Sequence, residues 1–403
     1  MSAARTPEIR TGLTPSLSAT PLIVGLVGFF TLVDLFAAQA ILPTLAARFA
    51  ASPSEIGLAA NASMLGMAAA GLALSFIGRR INRRAGAALC LAALAVPTGA
   101  LAFVDDLSIF AALRVTQGVF MASAFSLTMT YLAERCTAAQ SATALAAYIT
   151  GAVASNLAGR LAAATLTQAG GVPANFIFFA ALNLAGATLV LAAFRSATPM
   201  SDAGAARGAP LAVISGHLRN SCLRVSFAIG FLILFAFIGV FTYVNFVLSR
   251  EPIGLSPTAL GLVYFVFLPA MITTPLAGRV ATRYGARASF VASLGLALCG
   301  LAMLLSPSLP IVLAGLAVVG VGTFFAQATA TAFVGRAAKY ERAAASGMYL
   351  ASYYLGGLAG SALLGAIFEN AGWPATVGAV AASLVLAAVL AAMLKQTTVA
   401  GPS

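Results

Sequence analysis

The sequence predicts an all-α membrane protein with twelve transmembrane helices arranged as two pseudo-symmetric six-helix bundles. Three observations predict it: a composition too apolar for water, apolar stretches of membrane-crossing length along the whole chain, and motifs that recur about 200 residues apart. The 403 residues are 61% hydrophobic and 8% charged, with a mean hydropathy of +0.99. Soluble globular chains average about 25% charged and 45–50% apolar residues. The composition excludes a soluble enzyme, a nucleic-acid-binding domain and a disordered tail protein. The net charge of +12, from 22 Lys+Arg and 10 Asp+Glu, sits in short loops between apolar stretches, so no nucleic-acid partner is expected. One His and four separated Cys (Cys90, Cys136, Cys222, Cys299) exclude a zinc site and argue against a disulfide framework. No metal and no cofactor are expected.

A bilayer-crossing helix needs about 20 mostly apolar residues. Such stretches lie near 21–43, 54–78, 86–104, 107–132, 139–167, 172–194, 225–249, 257–278, 288–305, 309–334, 343–368 and 373–394. The first has a cleavage-like Ala38-Gln39-Ala40, but it is too long for a signal-peptide core and carries Asp34, so it is expected to stay as a helix. The longest polar interruption, 195–224, holds Pro199, Pro210 and several Gly and Ser and reads as a linker. The chain then divides into a tail 1–20, a first bundle 21–194, the linker 195–224, a second bundle 225–394 and a tail 395–403.

Orientation follows from the Lys/Arg bias of short loops. With the N-terminus cytoplasmic, the loops on that side hold 18 of the 22 Lys/Arg. The opposite side holds Arg48 and Arg250 with Glu55, Asp105, Asp106, Glu251 and Glu369. Both termini are expected in the cytoplasm. The arginine clusters at 79–84 and 279–287 are placed to meet anionic headgroups or simply to set orientation.

The two halves repeat. Ser75-Phe-Ile-Gly-Arg79-Arg80-Ile-Asn82-Arg83-Arg84 follows span two, and Gly278-Arg-Val-Ala-Thr282-Arg283-Tyr-Gly285-Ala-Arg287 follows span eight, 203 residues later. Gly118-Val-Phe-Met-Ala-Ser-Ala124 in span four matches Gly322-Thr-Phe-Phe-Ala-Gln-Ala328 in span ten, 204 later. Leu157-Ala-Gly159 in span five matches Leu358-Ala-Gly360 in span eleven, 201 later. Two parallel repeats place a substrate site between the halves near mid-membrane, opened to each side in turn by rocking.

These residues resemble the major facilitator superfamily. Gly278-x3-Thr282-Arg283-x-Gly285-x-Arg287 is similar to its loop signature Gly-x3-Asp-Arg-x-Gly-x-Arg/Lys, and Arg114-Val-Thr-Gln117-Gly118 to its fourth-helix Arg-x-x-Gln-Gly motif. Gln39-x-x-Leu42-Pro43, Gly159-Arg160 and Tyr353-Tyr354-x-Gly356-Gly357 followed by Gly372-Trp373 resemble one bacterial branch, the YnfM-type (acriflavine-sensitivity) transporters. The loop acid is Arg79 in the first copy and Thr282 in the second, the first-copy glycines are Ser75 and Asn82, and Gln327 stands where that branch has a His. The resemblance assigns the loop residues Ser75, Arg79, Arg80, Arg83, Arg84, Gly278, Arg283, Gly285 and Arg287 to conformational change.

Three charges lie deep in spans: Asp34, Arg114 and Arg160. At 1.5 Å per residue, Asp34 is about 13 Å from the outer end of span one, and the two arginines are about 10 Å from the outer ends of spans four and five. A charge at the bilayer centre costs at least ~2.5–3.5 kcal/mol on insertion scales. A carboxyl group in low dielectric is drawn toward its neutral form, and a nearby guanidinium draws it back toward the carboxylate. One reading is therefore a proton switch at Asp34 tuned by Arg114; the other is a fixed ion pair joining spans one and four. Multidrug antiporters similar to this chain use a helix-one acid and the fourth-helix Arg as a switch. Val318 and Ser361 replace the two arginines in the second half, so ion coupling is expected from the first half alone.

Gln117, Asn156, Arg160, Tyr243, Asn245, Gln327 and Tyr353 are candidates for an apolar substrate cavity with few polar anchors. Interhelical hydrogen bonding is the alternative for the polar and tyrosine side chains. Arg160, with Asn156 four residues earlier on the same face, reads as a second anion-attracting site or as a group packed against backbone carbonyls at helix ends. Gly151, Gly159, Gly356, Gly357 and Gly360 read as close-packing positions. The resemblance implies a monomeric, proton-coupled antiporter of the bacterial inner membrane exporting small amphipathic or hydrophobic compounds. Its partners are that substrate, protons and membrane lipids. Two arginines against one acid suit a small anionic metabolite as the alternative, and a non-transporting sensor or scaffold is a further one. No Gly-x4-Gly-Lys-Ser/Thr loop is present, and no deep catalytic pair suggests an enzyme.

Overall fold

The computed structural model describes residues 21–77, 81–135, 138–194, 210–338 and 340–394. Among them there are helices and no strands. Arg79 and Arg80 lie outside the described residues. In order the helices are α1 (Pro21–Ala37), α2 (Leu42–Phe49), α3 (Pro53–Asn61), α4 (Ser63–Ile77), α5 (Arg83–Ala100), α6 (Leu107–Arg135), α7 (Ala138–Ala193) and α8 (Pro210–Arg219). Then come α9 (Ser221–Leu248), α10 (Pro257–Val263), α11 (Leu268–Thr273), α12 (Ala277–Tyr284), α13 (Ala286–Met303), α14 (Leu309–Ala337) and α15 (Arg342–Ala392).

Local chemistry sets the element ends. Ser52 accepts from the Glu55 amide (3.2 Å) while Glu55 accepts from the Ser52 amide (2.8 Å), a reciprocal cap that fixes the start of α3 ahead of Pro53. Ser256 caps α10 ahead of Pro257 with the first of these bonds alone, accepting from the Ala259 amide. The two Ser-Pro caps lie 204 residues apart, so the repeat extends to the turns. α7 and α15 each contain one break. Gly171 (φ 75°, ψ 179°) and Gly372 (φ 77°, ψ −176°) adopt a conformation open only to glycine. A proline follows each by two residues, where a helix start tolerates it. These breaks divide the long helices into spans five and six and spans eleven and twelve, consistent with twelve crossings. Gly171→Ala and Gly372→Ala are each expected to destabilise by about 1–3 kcal/mol, read as a lowered unfolding temperature in detergent.

Two stretches are less regular than predicted and a third is more regular. Span one passes through a short 3-10 turn, Ala38–Ile41, before α2. Span eight is three short helices joined by 3-10 turns, because Pro269 and Pro275 lack the amide that a continuous helix needs. The segment expected as a linker over 195–224 contains α8 and the first turn of α9. Asn220 starts α9 by accepting from the Cys222 and Leu223 amides, in a sequence polar enough to read as loop.

α1 runs along the first part of α7, and α9 along the first part of α15. Large apolar side chains such as Leu22, Val96, Ile272 and Leu363 are exposed on the helices, as lipid contact requires. The chain is a multi-pass membrane protein.

Candidate functional site

The deep charges organise two polar clusters in an otherwise apolar interior. In the first, the Asp34 Oδ2 accepts from the Asn183 amide nitrogen (2.8 Å) and lies 3.1 Å from the Thr98 hydroxyl. Thr98 accepts from the Gln117 side-chain nitrogen (2.7 Å), and Gln117 Oε1 accepts from Arg114 Nη1 (2.7 Å). The remaining Arg114 nitrogens donate to the backbone oxygens of Ala60 (2.8 Å) and Leu35 (3.1 Å), and to Ser63 Oγ (3.3 Å). Arg114 Nη1 also reaches the backbone oxygen of Asp34 (3.3 Å), not its carboxylate. The fixed ion pair left open by the sequence is therefore not formed. The link runs from Arg114 through Gln117 and Thr98 to Asp34, and all four side chains are buried.

The geometry at Thr98 accommodates both protonation states of Asp34. The Thr98 hydroxyl lies 2.8 Å from the Leu94 carbonyl oxygen as well as 3.1 Å from Asp34 Oδ2. A hydroxyl has one proton to donate and two lone pairs to accept with. When Asp34 is a carboxylate, Thr98 donates to it. The Asn183 side-chain nitrogen is shared between Asp34 Oδ2 (2.8 Å) and the Thr98 oxygen (3.1 Å). When Asp34 is a carboxylic acid, Asp34 takes the lone pair that Asn183 gives up on Thr98, and Thr98 donates to Leu94. Asp34 Oδ1 has no hydrogen-bond partner among the described residues, so neither state is locked.

The second cluster surrounds Arg160. Its Nε donates to Asn156 Oδ1 (2.8 Å) and its Nη2 to Gln39 Oε1 (2.6 Å). Gln39 donates to Asn61 Oδ1 (2.9 Å). The Asn61 nitrogen lies 3.1 Å from both Thr242 Oγ1 and Ser361 Oγ, so it joins α3 to α9 and α15. Tyr243 donates to the Ser361 carbonyl oxygen, and the Ser54 amide to Glu369 Oε1 (2.8 Å). Tyr264 donates to Asn245 Oδ1 (2.9 Å) while its ring faces Arg160 Cζ at 4.0 Å. This end of the molecule is closed by hydrogen bonds between the first and second halves of the chain, neutral at Asn61 and accepted by a carboxylate at Glu369.

A cavity of about 1050 Å³ opens toward the other end, where Ser75 and Arg83 line it. Its wall is mainly apolar and aromatic, with Phe36, Phe125, Phe237 and Phe324 among the lining residues. Of the residues predicted for the substrate cavity, Asn156, Gln327 and Tyr353 line it. Gln117, Arg160, Tyr243 and Asn245 are buried behind the wall in the two clusters. Gln327 Oε1 accepts from Tyr349, another wall residue. In the loop motifs, Ser75 packs against Gly347, where a Cβ would come within 2.7 Å, so the end of α4 meets the start of α15. Arg84 donates to the Leu191 carbonyl oxygen. Gly285 turns the chain from α12 into α13 with φ +84°. A Cβ at Gly278 would meet open space, and Arg283 and Arg287 are exposed.

Sequence reasoning missed Thr98, Asn183, Asn61 and Thr242. Asn61 and Asn183 carried a usable signal, since an Asn inside an apolar span needs an interhelical partner. Threonines carried none, because a helical Thr can satisfy itself on the preceding turn.

A multi-pass helical protein with a central cavity, one end sealed and a carboxyl group buried beside it, has the architecture of a secondary transporter. The chain belongs to the Major Facilitator Superfamily, whose family model matches residues 24–267 and 247–403. It is 27% identical to the "Inner membrane transport protein YnfM" of Escherichia coli over 93% of this chain and 90% of that one. It is 25% identical to an "Uncharacterized MFS-type transporter YybF" of Bacillus subtilis, over 92% of each. In fold it is similar to a bacterial homologue of the lysosomal transporter Spinster, crystallised inward-facing and unoccupied. The TM-score is 0.74 at 15% identity, covering 95% of each chain. The nucleoside transporter NupG matches with a TM-score of 0.74 at 16% identity, over 93% of this chain and 100% of that one.

Proposed function

We propose that this transporter is a proton-coupled antiporter exporting small amphipathic or hydrophobic compounds across the bacterial inner membrane. The observation that carries the reading is the Asp34 site, where Thr98 can serve either a carboxylate or a carboxylic acid. In the proposed cycle the halves 21–194 and 225–394 rock about the central cavity, with the arginine-rich loops and both termini cytoplasmic. Substrate enters from the cytoplasmic end, and the aromatic wall takes its apolar body while Asn156, Gln327 and Tyr353 provide polar anchors. Asp34 releases its proton to that end and regains one when the site faces out. Arg114 acts through Gln117 and Thr98 on the carboxyl group's position and charge. Antiport follows when the loaded cavity and the protonated Asp34 exclude each other.

The test is acriflavine accumulation in inverted membrane vesicles whose interior is made acid. Uptake that rises with the gradient and collapses on adding a proton ionophore is expected. Absence of uptake of acriflavine and of amphipathic carboxylates alike by folded, membrane-inserted protein, with small hydrophilic organic acids exchanging instead, would move the assignment to an anionic metabolite. Ligand binding with no counterflow at all would leave a sensor.

A further inference from the structure

We infer that Arg160 forms an anion subsite at the sealed end of the cavity, so that the preferred substrates are amphipathic carboxylates with an aromatic or similarly flat apolar body. The inference rests on the transport reading for its cavity and goes beyond it in naming the charge of the ligand.

Arg160 differs from Arg114 in how its charge is met. Arg114 is saturated by carbonyl oxygens, Ser63 and Gln117, and is linked through Gln117 and Thr98 to Asp34. Among the described residues the fully buried Arg160 meets neutral groups alone: the amide oxygens of Asn156 and Gln39, and Tyr264 against its guanidinium. Its Nη1 has no partner among the described residues. No carboxylate there lies within ion-pair range of it, Asp34 being engaged with Thr98 and Asn183. Aromatic rings supply the rest of its surroundings: Tyr264 at 4.0 Å, Phe36 at 5.0 Å and Phe267 at 5.4 Å from Cζ. Cation–π contact is weaker than a counter-ion, and a buried guanidinium without one is an expensive group to keep.

The site adjoins the cavity. Asn156 and Phe36, both in contact with Arg160, are themselves wall residues. Phe237 and Phe324, also in the wall, pack on Phe267 at ring distances of 5.8 and 5.6 Å. A ligand placing its flat body against these rings brings a carboxylate to Asn156 and Phe36, the wall residues in contact with Arg160. A guanidinium binds a carboxylate with charge-assisted hydrogen bonds, about twice as strong as neutral ones. The matching neutral amide gains no such bond and leaves the charge unmet.

The experiment uses the full chain in detergent, titrated with dansylglycine and with its uncharged amide, dansylglycinamide, following dansyl fluorescence. Wild type is expected to bind the carboxylate at least about tenfold more tightly than the amide. Arg160→Gln is expected to bring the two to within about twofold by weakening the carboxylate alone, and Arg160→Lys to keep part of the preference. Arg250→Gln, removing an exposed cation that is not part of the wall, is expected to leave the preference intact. Equal binding of both probes to wild type, or no binding of either at millimolar concentration, overturns the inference. So does a preference that survives Arg160→Gln or disappears in Arg250→Gln. Should Arg160→Gln not give monodisperse protein, the Arg160→Lys and wild-type ratios decide. The measurement requires no proton gradient, so a failure of gradient-driven uptake with the probe preference intact counts against coupling at Asp34 and not against this subsite.

Discussion

Asp34→Asn is expected to abolish gradient-driven uptake, by about tenfold or more, because an intramembrane carboxylate is the group whose charge change a proton gradient can drive. The substitution is nearly isosteric. The new side chain keeps an oxygen to accept from Asn183 and Thr98, the two partners of the native Oδ2. Arg114 loses no direct bond, since its nitrogens are held by backbone oxygens, Ser63 and Gln117. Folding and the cavity wall, to which Asp34 does not contribute, should therefore persist. What disappears is the ability to take and release a proton. The expected result is split: acriflavine accumulation in acid-interior inverted vesicles is lost, while counterflow of labelled against unlabelled substrate continues. Accumulation retained at the wild-type rate would make Asp34 a structural partner of spans three and six. Loss of both activities with a normal unfolding temperature would place Asp34 in substrate binding, which contradicts its position behind the wall.

The fold was legible because its causes are local and repeated along the chain. Length and apolarity mark each span, the arginines mark one set of loops, and the motif offsets pair the halves. The irregular spans were hidden because a window of apolar residues does not register the missing amides of Pro269 and Pro275. The charge-bearing part of the site was legible as well, since Asp34, Arg114 and Arg160 stand out in apolar spans whatever their orientation. Their partners were not. Whether Thr98 and Asn183 face Asp34 depends on how spans three and six rotate against span one. Helices apolar on every face give little periodicity to read that from. The same limit explains why Gln117, Arg160, Tyr243 and Asn245 could be placed in the interior but not told apart from the residues that line the cavity.

The glycines show how this repeat is held together, and they set the second large expectation. A Cβ on Gly151 would meet the carbonyl oxygen of Gly25 at 1.7 Å and its carbon at 2.5 Å. A Cβ on Gly356 would meet the same two atoms of Phe231 at 2.0 and 2.6 Å. Gly25 and Phe231 lie 206 residues apart, Gly151 and Gly356 205 apart, so one backbone-to-backbone contact is built twice. No rotamer change relieves it, because the obstacle is main chain and two helices must separate. In a bilayer, where helices gain nothing from leaving lipid, this close approach is itself the source of association. Gly151→Ala and Gly356→Ala are therefore each expected to cost about 3 kcal/mol, the upper range of overpacking, against which the better helix propensity of Ala returns about 1 kcal/mol. Gly378→Ala is the control: nothing lies within 4 Å of its Cβ position, so only the propensity gain remains and the variant should match or exceed wild type. Thermal unfolding of the three variants in detergent makes the comparison. A wild-type midpoint for Gly151→Ala would mean that α1 and α7 do not approach as closely as drawn. A cost confined to one of the two would mean that the halves, though repeated in sequence, are not held by equivalent contacts.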